Sequence, residues 1–489
     1  MELGPFLQIE KKYDLVNANV DGYFFWIYLR ASLEWCYERL HNNLEGNNKQ
    51  SQIGFNAKLK QICGKAKNVL TKSRIPSVKD GVLILNHPRR VLVNGVYDCV
   101  YTDDLAEQLD NCVVLEEPYQ GIHYRPIRTK KIVYTDIIDL LSFLYCSFQR
   151  ILFSKQYSKN KDMMLSSIYE PIMELNKAYG VDISPYQFGN ELIFGLCMYK
   201  VEKRYYRRVI SKLHPKVIVE VVSYNRKCMV VNEVAADMGI PTVELQHGTI
   251  GEEHVSYNFP QGWRIKQFPR YLFLFSEYWK NKASFPINEE AIISVGYPYL
   301  EKMTYLFSKH EKNATTKKNV LFLSSGPIGK KLADIAVGLK EILNEEEYNI
   351  IFKLHPREYE TWKERYPTLL KSDIEVIDNN KISLYELFSI SDIQVSGFNS
   401  TTVFEGLFFS LQTYILDYCV SKEIASLCSN GIAEYFCSSQ ELSKLIMRNG
   451  DKQLDEKVTF WEKDCMHNMI ENLKNIMNTD IVHGDSNEY

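Results

Sequence analysis

Two doubly wound α/β domains are the fold class this sequence predicts, and three observations predict it. Short, near-continuous runs of Val, Ile and Leu recur along most of the chain, helical stretches separate them, and one polar, turn-rich segment past the midpoint divides the series in two. Runs that are apolar at every position suit strands of a parallel sheet covered on both faces. Their alternation with helices implies right-handed β-α-β crossovers. A length of 489 residues also exceeds what one core ordinarily serves.

The elements follow in order. Residues 13–46 read as a helix, with aromatic side chains at 23, 24, 25, 26, 28, 35 and 37 that pack it onto its own domain. Residues 51–79 carry Lys58, Lys60, Lys65, Lys67, Lys72, Arg74 and Lys79 and no acid. Such a run is a solvated loop or a contact with an anionic membrane surface, where each base adds about 1 kcal/mol. Buried strands are predicted at 81–87, 112–117, 131–136, 216–222, 241–246 and 271–276, with a helix over 225–239 that ends at Gly239. Residues 136–153, DIIDLLSFLYCSFQRILF, come nearest to a membrane span, but Asp136, Asp139 and Arg150 make them a buried or interfacial helix. The polar segment 307–318 is the predicted linker. Beyond it strands are expected at 319–325, 348–356, 374–378, 392–397 and 412–417, a helix at 331–344, and a final helix at 454–478. The predicted organisation is an amino-terminal domain over 1–306 and a carboxyl-terminal domain over 319–452. A terminal segment, 453–489, has a helix that reaches back toward the first domain.

Composition narrows the function. Forty-five per cent apolar and 24 % charged residues describe a globular chain, and a net charge of −3 argues against a nucleic-acid-binding surface. Eleven cysteines without a C-x-x-C pair fit a reducing compartment and give no metal pattern. With no signal-peptide layout at the amino terminus, the expected location is the cytoplasm, with peripheral contact at the inner face of the membrane. No internal repeat is evident.

Four clusters carry chemistry, each at the carboxyl end of a predicted strand, where sheets of this kind hold ligands. In "LQHG" (245–248) a strand delivers His247, whose neutral ring can take a proton from a hydroxyl; Glu244 and Glu253 are acids that could orient it or act as the base. In "FKLHPRE" (352–358) His355 can donate to a phosphate oxygen, with Lys353 and Arg357 supplying charge. In "VSGFNSTTVFEG" (395–406) Asn399 or Ser400 caps a helix whose first residues, Thr401 and Thr402, offer amides and hydroxyls to an anion, and Glu405 is placed to accept from a ribose hydroxyl. In "LFLSSGPIGKK" (321–331) Ser325 and Gly326 form a loop lining the ligand site, without P-loop or dinucleotide spacing.

"LQHG", "VGYP" (295–298), "KLHP" and "SGFNSTT" stand in the same order as in bacterial surface-polysaccharide glycosyltransferases of the GT-B fold. Residues 215–420 resemble the CDP-glycerol glycerophosphotransferases and the bacterial sialyl- and polysialyltransferases. The resemblance implies two facing Rossmann-like domains with a cleft between them. It also implies that His355, Ser400 and Thr401 hold the donor phosphate and that His247 is the base. The sialyltransferase acidic base motif is absent: Glu116-Glu117 precedes Pro118, and Glu252-Glu253 precedes His254.

The activity expected is transfer of a sugar from a CMP-, CDP-, UDP- or GDP-linked donor to a hydroxyl of a capsular, O-antigen or lipooligosaccharide chain, with inversion, and with neither metal nor cofactor. Glycerol-phosphate transfer and nucleotide-sugar 2-epimerisation keep the fold and change the chemistry. A non-catalytic partner in a polysaccharide assembly complex is the reading from another class.

Overall fold

The computed structural model describes residues 2–41, 73–76, 79–119, 121–308, 317–326, 328–397, 400–418, 420–449 and 459–479. Most of the basic run 51–79, residues 309–316 of the expected linker and the start of the expected final helix therefore lie outside the described residues. The chain forms two compact units. One comprises Met1–His247, Glu252–Gly296 and Asp464–Tyr489, the other Gly248–Gly251 and Tyr297–Lys463.

The first unit is built on β1 (Val82–Leu85), the hairpin β2 (Val91–Val93) and β3 (Val96–Asp98), β4 (Cys112–Glu116), β5 (Ile132–Tyr134), β6 (Val217–Val221), β7 (Thr242–Leu245), β8 (Tyr271–Leu274) and β9 (Ile292–Ser294). Seven of these form one sheet in the order β5-β4-β1-β6-β7-β8-β9, every neighbouring pair parallel. The strand order reverses between β1 and β6. Continuous apolar runs are explained by two covered faces. Leu83 and Leu85 point into one core with helices Phe25–His41, Ser154–Tyr179 and Gly189–Leu213. Val82 and Ile84 point into the other, which Met469, Leu473 and Ile476 of helix Cys465–Asn478 complete.

The amino-terminal helix is shorter than its sequence predicts. Helices span Gly4–Lys12 and Phe25–His41, and between them Asp14, Asp21 and Gly22 adopt left-handed backbone angles that no helix accommodates. Most of its aromatic residues are core, with Phe25, Trp26 and Tyr37 fully buried, whereas Trp35 is exposed. Arg30 pins the segment down by pairing with buried Glu10 at 2.5 Å and donating to the Val255 and Asn258 carbonyls.

The second unit contains β10 (Lys318–Leu323), β11 (Tyr348–Lys353), β12 (Glu375–Ile377), β13 (Ile393–Ser396), β14 (Gln412–Leu416) and β15 (Glu434–Phe436). Its sheet is wholly parallel in the order β12-β11-β10-β13-β14-β15. Numbered within the unit, that is 3-2-1-4-5-6, the order of nucleotide-binding sheets, with its switch point between β10 and β13. Two expected boundaries move. Helix Pro298–Ser308 belongs to this unit, because Tyr299 packs edge-on against Tyr385. Residues up to Lys463 belong here too: the Trp461 indole N–H donates to the Phe404 carbonyl at 3.2 Å, and the helix begins only at Cys465. The edge strands β9 and β15, three residues each, had not been expected from the sequence.

Leu473 is fully buried between the terminal helix and the first sheet. Leu473→Ala is expected to cost about 2–5 kcal/mol, read as a lower urea midpoint. Leu306→Ala, at a half-exposed position, should leave the midpoint within about 0.5 kcal/mol of wild type.

Candidate functional site

In the second unit the loops after β10, β11 and β13 open at the same carboxyl edge. After β11, His355 occupies the N-cap position of a short 3-10 turn, Pro356–Glu358. Its Nδ1 accepts the Arg357 amide at 3.2 Å, while Glu358 Oε2 accepts the His355 amide at 3.0 Å. With Nδ1 engaged as an acceptor, the neutral ring carries its proton on Nε2 and presents a donor. The turn therefore fixes the ring's tautomer.

Lys353 does something else. Its Nζ donates to Tyr359 Oη at 2.7 Å and to the Asn379 carbonyl at 2.6 Å, and burial pushes its pKa down to about 8. The lysine thus braces the loop after β12 with the charge that the sequence assigns to it. Arg357 is exposed beside it.

After β13, Asn399 lies outside the described residues. Ser400 sits at the N-cap of helix Thr401–Phe408, but its side chain caps no amide; its Oγ meets Thr402 Oγ1 at 2.6 Å. The Val403 amide turns back onto the Ser400 carbonyl at 3.2 Å, and the dipole of the helix start is flanked by the paired hydroxyls. Glu405, one turn in, is buried, and that burial lifts its pKa to about 7 against a hydrogen bond from Tyr385. After β10, the Ser325 Oγ is buried without a hydrogen-bond partner among the described residues. Gly326 has open space where a Cβ would stand, and its carbonyl accepts from Arg365 at 3.1 Å. The sterically demanding glycine of this loop is Gly329, where a Cβ would come within 2.1 Å of the Tyr366 hydroxyl.

In the first unit His247 follows β7. Its carbonyl accepts from the Tyr101 hydroxyl at 2.9 Å, its Nε2 lies 3.1 Å from the Tyr224 hydroxyl, and its Nδ1 has no hydrogen-bond partner among the described residues. The side chain is 16 % exposed, although Nδ1 itself is buried. Enclosure pushes its pKa down to about 3, with His87 and His254 adding to the fall. The ring is neutral throughout the physiological range.

Glu244 Oε1 stands 3.7 Å from Nδ1, beyond hydrogen-bond reach. That oxygen is committed to the Ser223 amide at 3.0 Å and the Tyr257 hydroxyl at 2.6 Å, and burial raises the carboxyl's pKa. Glu244 is therefore a scaffold for the turn after β6. Glu253 is half-buried in the following loop, and its charge adds to the burial that raises Glu38. Gly248 leaves ordinary contact distance, 3.5 Å, between a would-be Cβ and Thr401 Oγ1, whereas a Cβ on Gly251 would collide with Glu423. Gly251 is the position that excludes a side chain.

Sequence reasoning missed several groups at this edge. Tyr224 touches His247 and also packs against His254 and Tyr257. Val222, just before it, is a β-branched residue at φ 63°, a strained conformation that costs about 1–3 kcal/mol. His87-Pro88-Arg89, after β1, repeats the His355-Pro356-Arg357 turn of the other unit: His87 Nδ1 accepts the Arg89 amide at 3.3 Å. The shared tripeptide at the end of each unit's first or second strand was the signal available. Tyr101 packs edge-on against both His87 and His247.

A buried charged network fixes the neighbouring strand ends. Arg90 pairs with Asp103 at 2.5 Å and with Glu116 at 2.6 Å, and His123 bridges Glu116 at 2.9 Å and Asp136 at 2.8 Å while stacking on Tyr134. Burial alone would lower the His123 pKa, but the bonds from Asp136 and Glu116 outweigh it and the pKa is raised. For Glu116, burial is likewise outweighed, by His123, Arg90 and Asn86, and the pKa is lowered. Among the described residues no group of three His, Cys, Asp or Glu is arranged to hold a metal ion.

No protein-family model matches the chain, and no curated protein matches it. Solved structures with similar folds include the UDP-GlcNAc 2-epimerase of Methanocaldococcus jannaschii, 13 % identical, covering 81 % of this chain and 99 % of that one, TM-score 0.49. They also include the wall teichoic acid polymerase TagF, 11 % identical, covering 92 % and 98 %, TM-score 0.44. A third is a glycosyltransferase from Rickettsia africae, 15 % identical, covering 57 % and 78 %, TM-score 0.33.

Because the His123 pKa is raised, its contribution to stability is complete below about pH 6.5 and is lost as pH rises through the higher folded value. The lowered Glu116 pKa works oppositely: its contribution is present above about pH 4.5 and is lost as pH falls through the folded value. Urea midpoints should therefore fall on both sides of that window. In His123→Gln the alkaline fall should largely disappear.

Proposed function

We propose that the chain is a glycosyltransferase that moves a sugar from a nucleotide-linked donor to a hydroxyl of a bacterial surface glycan such as capsule, O-antigen or lipooligosaccharide. The observation that carries this reading is the carboxyl edge of the second unit. There a 3-2-1-4-5-6 parallel sheet presents the His355 turn and a helix start that the Ser400 side chain does not cap, with the Ser400 and Thr402 hydroxyls beside it. Fixed donors of that kind bind a diphosphate and stabilise the charge that grows on it as it leaves. In this reading they take the place of a divalent cation. Glu405 accepts from a ribose hydroxyl, and Ser325 and Gly326 line the phosphate loop.

On the acceptor side His247 is the base. The acceptor hydroxyl gives its proton to the imidazole as its oxygen bonds to the anomeric carbon. The bond from that carbon to the donor phosphate breaks, and its electron pair leaves with the nucleotide, inverting the centre. Tyr224 orients the ring, and Glu244 holds the Ser223–Tyr257 scaffold behind it.

Two measurements test the halves separately. Thermal shifts with CMP, CDP, UDP, GDP and their sugars should show one nucleotide stabilising the wild type, by roughly 2.7 kcal/mol at a hundred times its dissociation constant. His355→Ala should lose most of that gain. No shift with any nucleotide would sink the donor-site reading, and a response to CDP-glycerol alone would turn it toward glycerol-phosphate transfer.

For the acceptor half, His247→Ala should lower kcat by about 10²–10⁴ while leaving the nucleotide shift intact. With the His247 pKa near 3, the acid limb of the kcat/KM profile should fall well below pH 6. A limb near neutrality that persists in His247→Ala would assign the base to another group.

A further inference from the structure

Helix Asp136–Leu152 is apolar on the wrong side. Ile138, Ser142 and Cys146, four residues apart, face the interior. The outward face carries Phe143, Leu144, Phe148, Ile151, Leu152 and the adjoining Phe153, with Phe143 62 %, Ile151 69 % and Leu152 63 % exposed. The chain then turns by 105° into helix Ser154–Tyr179, so Ile151, Leu152 and Phe153 form a protruding corner. A monomeric protein in water rarely exposes so many adjacent large apolar side chains without a use for them.

The charges along the corner itself have one sign, and the nearest following acid is exposed Asp162. From residue 140 to residue 161 there are four bases and no acid, and Arg150, Lys155 and Lys159 are exposed. The two acids at the start of the helix are engaged elsewhere: Asp136 bonds His123 at 2.8 Å, and Asp139 lies 3.5 Å from Lys227. Among the described residues no single helix is long and apolar enough to cross a membrane. A helix of 17 residues extends about 25 Å, short of a bilayer core of about 30 Å, but suited to lying in the interface.

We infer that this corner docks the protein on an anionic lipid surface, with the Phe143–Phe153 face sunk into the headgroup boundary and Arg150, Lys155 and Lys159 on the lipid phosphates. Charge complementarity selects lipid over a second copy of the chain, since a two-fold pairing would bring Arg150, Lys155 and Lys159 together against the single exposed acid Asp162. The inference is independent of the reaction proposed above, and it uses neither the basic run 51–79 nor the aromatic amino-terminal helix.

The test is co-sedimentation of the full chain with phosphatidylcholine vesicles, with and without phosphatidylglycerol, at low and high salt. Binding is expected only with phosphatidylglycerol and should weaken with salt. Lys155→Gln/Lys159→Gln should reduce partitioning by about 25-fold, roughly five-fold per base, and Ile151→Asp/Leu152→Asp should reduce it at least as far. All these side chains are exposed, so melting temperatures should stay at the wild-type value. Failure of the wild type to sediment, or equal sedimentation of the variants, would overturn the inference. So would sedimentation velocity showing a dimer that the Ile151→Asp/Leu152→Asp variant splits, without vesicle binding.

Discussion

Burying a parallel sheet on both faces leaves only its strand ends able to meet a ligand, and the chemistry of both units follows from that constraint. Ile84, Val114, Val219 and Val243 are sealed in the first unit, as are Val320, Phe322 and Phe352 in the second. β1, β4, β6 and β7 are buried along their whole length and β10 and β11 over their last four residues, so polar groups that meet solvent stand at the carboxyl edges. His87, Tyr224 and His247 in one unit, and Ser325, His355 and Ser400 in the other, each stand within a few residues of a strand's end.

Holding those edges requires polar groups in places where water is scarce. Glu116, Asp103 and Asp136 are almost wholly buried, and each is matched by Arg90 or His123. Removing one partner would strand a charge, which is why such a network is more sensitive to truncation than its net stabilisation suggests. Glu244 works similarly through a backbone amide and a phenol. The strained backbone at Val222 lies beside this scaffold, where surrounding hydrogen bonds can hold it.

The His-Pro-Arg turn shows how little is needed to build a directed donor. Proline ends strand pairing, the following amide turns back onto Nδ1, and the remaining ring nitrogen is left with the proton. The same local logic in both units makes the turn a property of three residues and a strand end, not of the surrounding fold.

The sequence by itself determined the two α/β units, eleven of the strands and the turns that carry His247, His355 and Ser400, because strand burial and strand termination are local in the chain and leave an apolar run followed by Gly, Pro or a hydroxyl. It could not show that the Lys353 ammonium is spent on Tyr359 and Asn379, that Glu244 serves Ser223 and Tyr257, or that Tyr224 reaches His247. Those partners come from other strands and loops, and only the register of the sheet brings them within hydrogen-bond distance. The three-residue strands β2, β3, β9 and β15 were not read from the sequence, although β5 and β12, equally short, were. The outward face of helix Asp136–Leu152 was tertiary too. Its sequence is apolar nearly all round, and which side faces out is decided by the packing of helix Gly189–Leu213 against it.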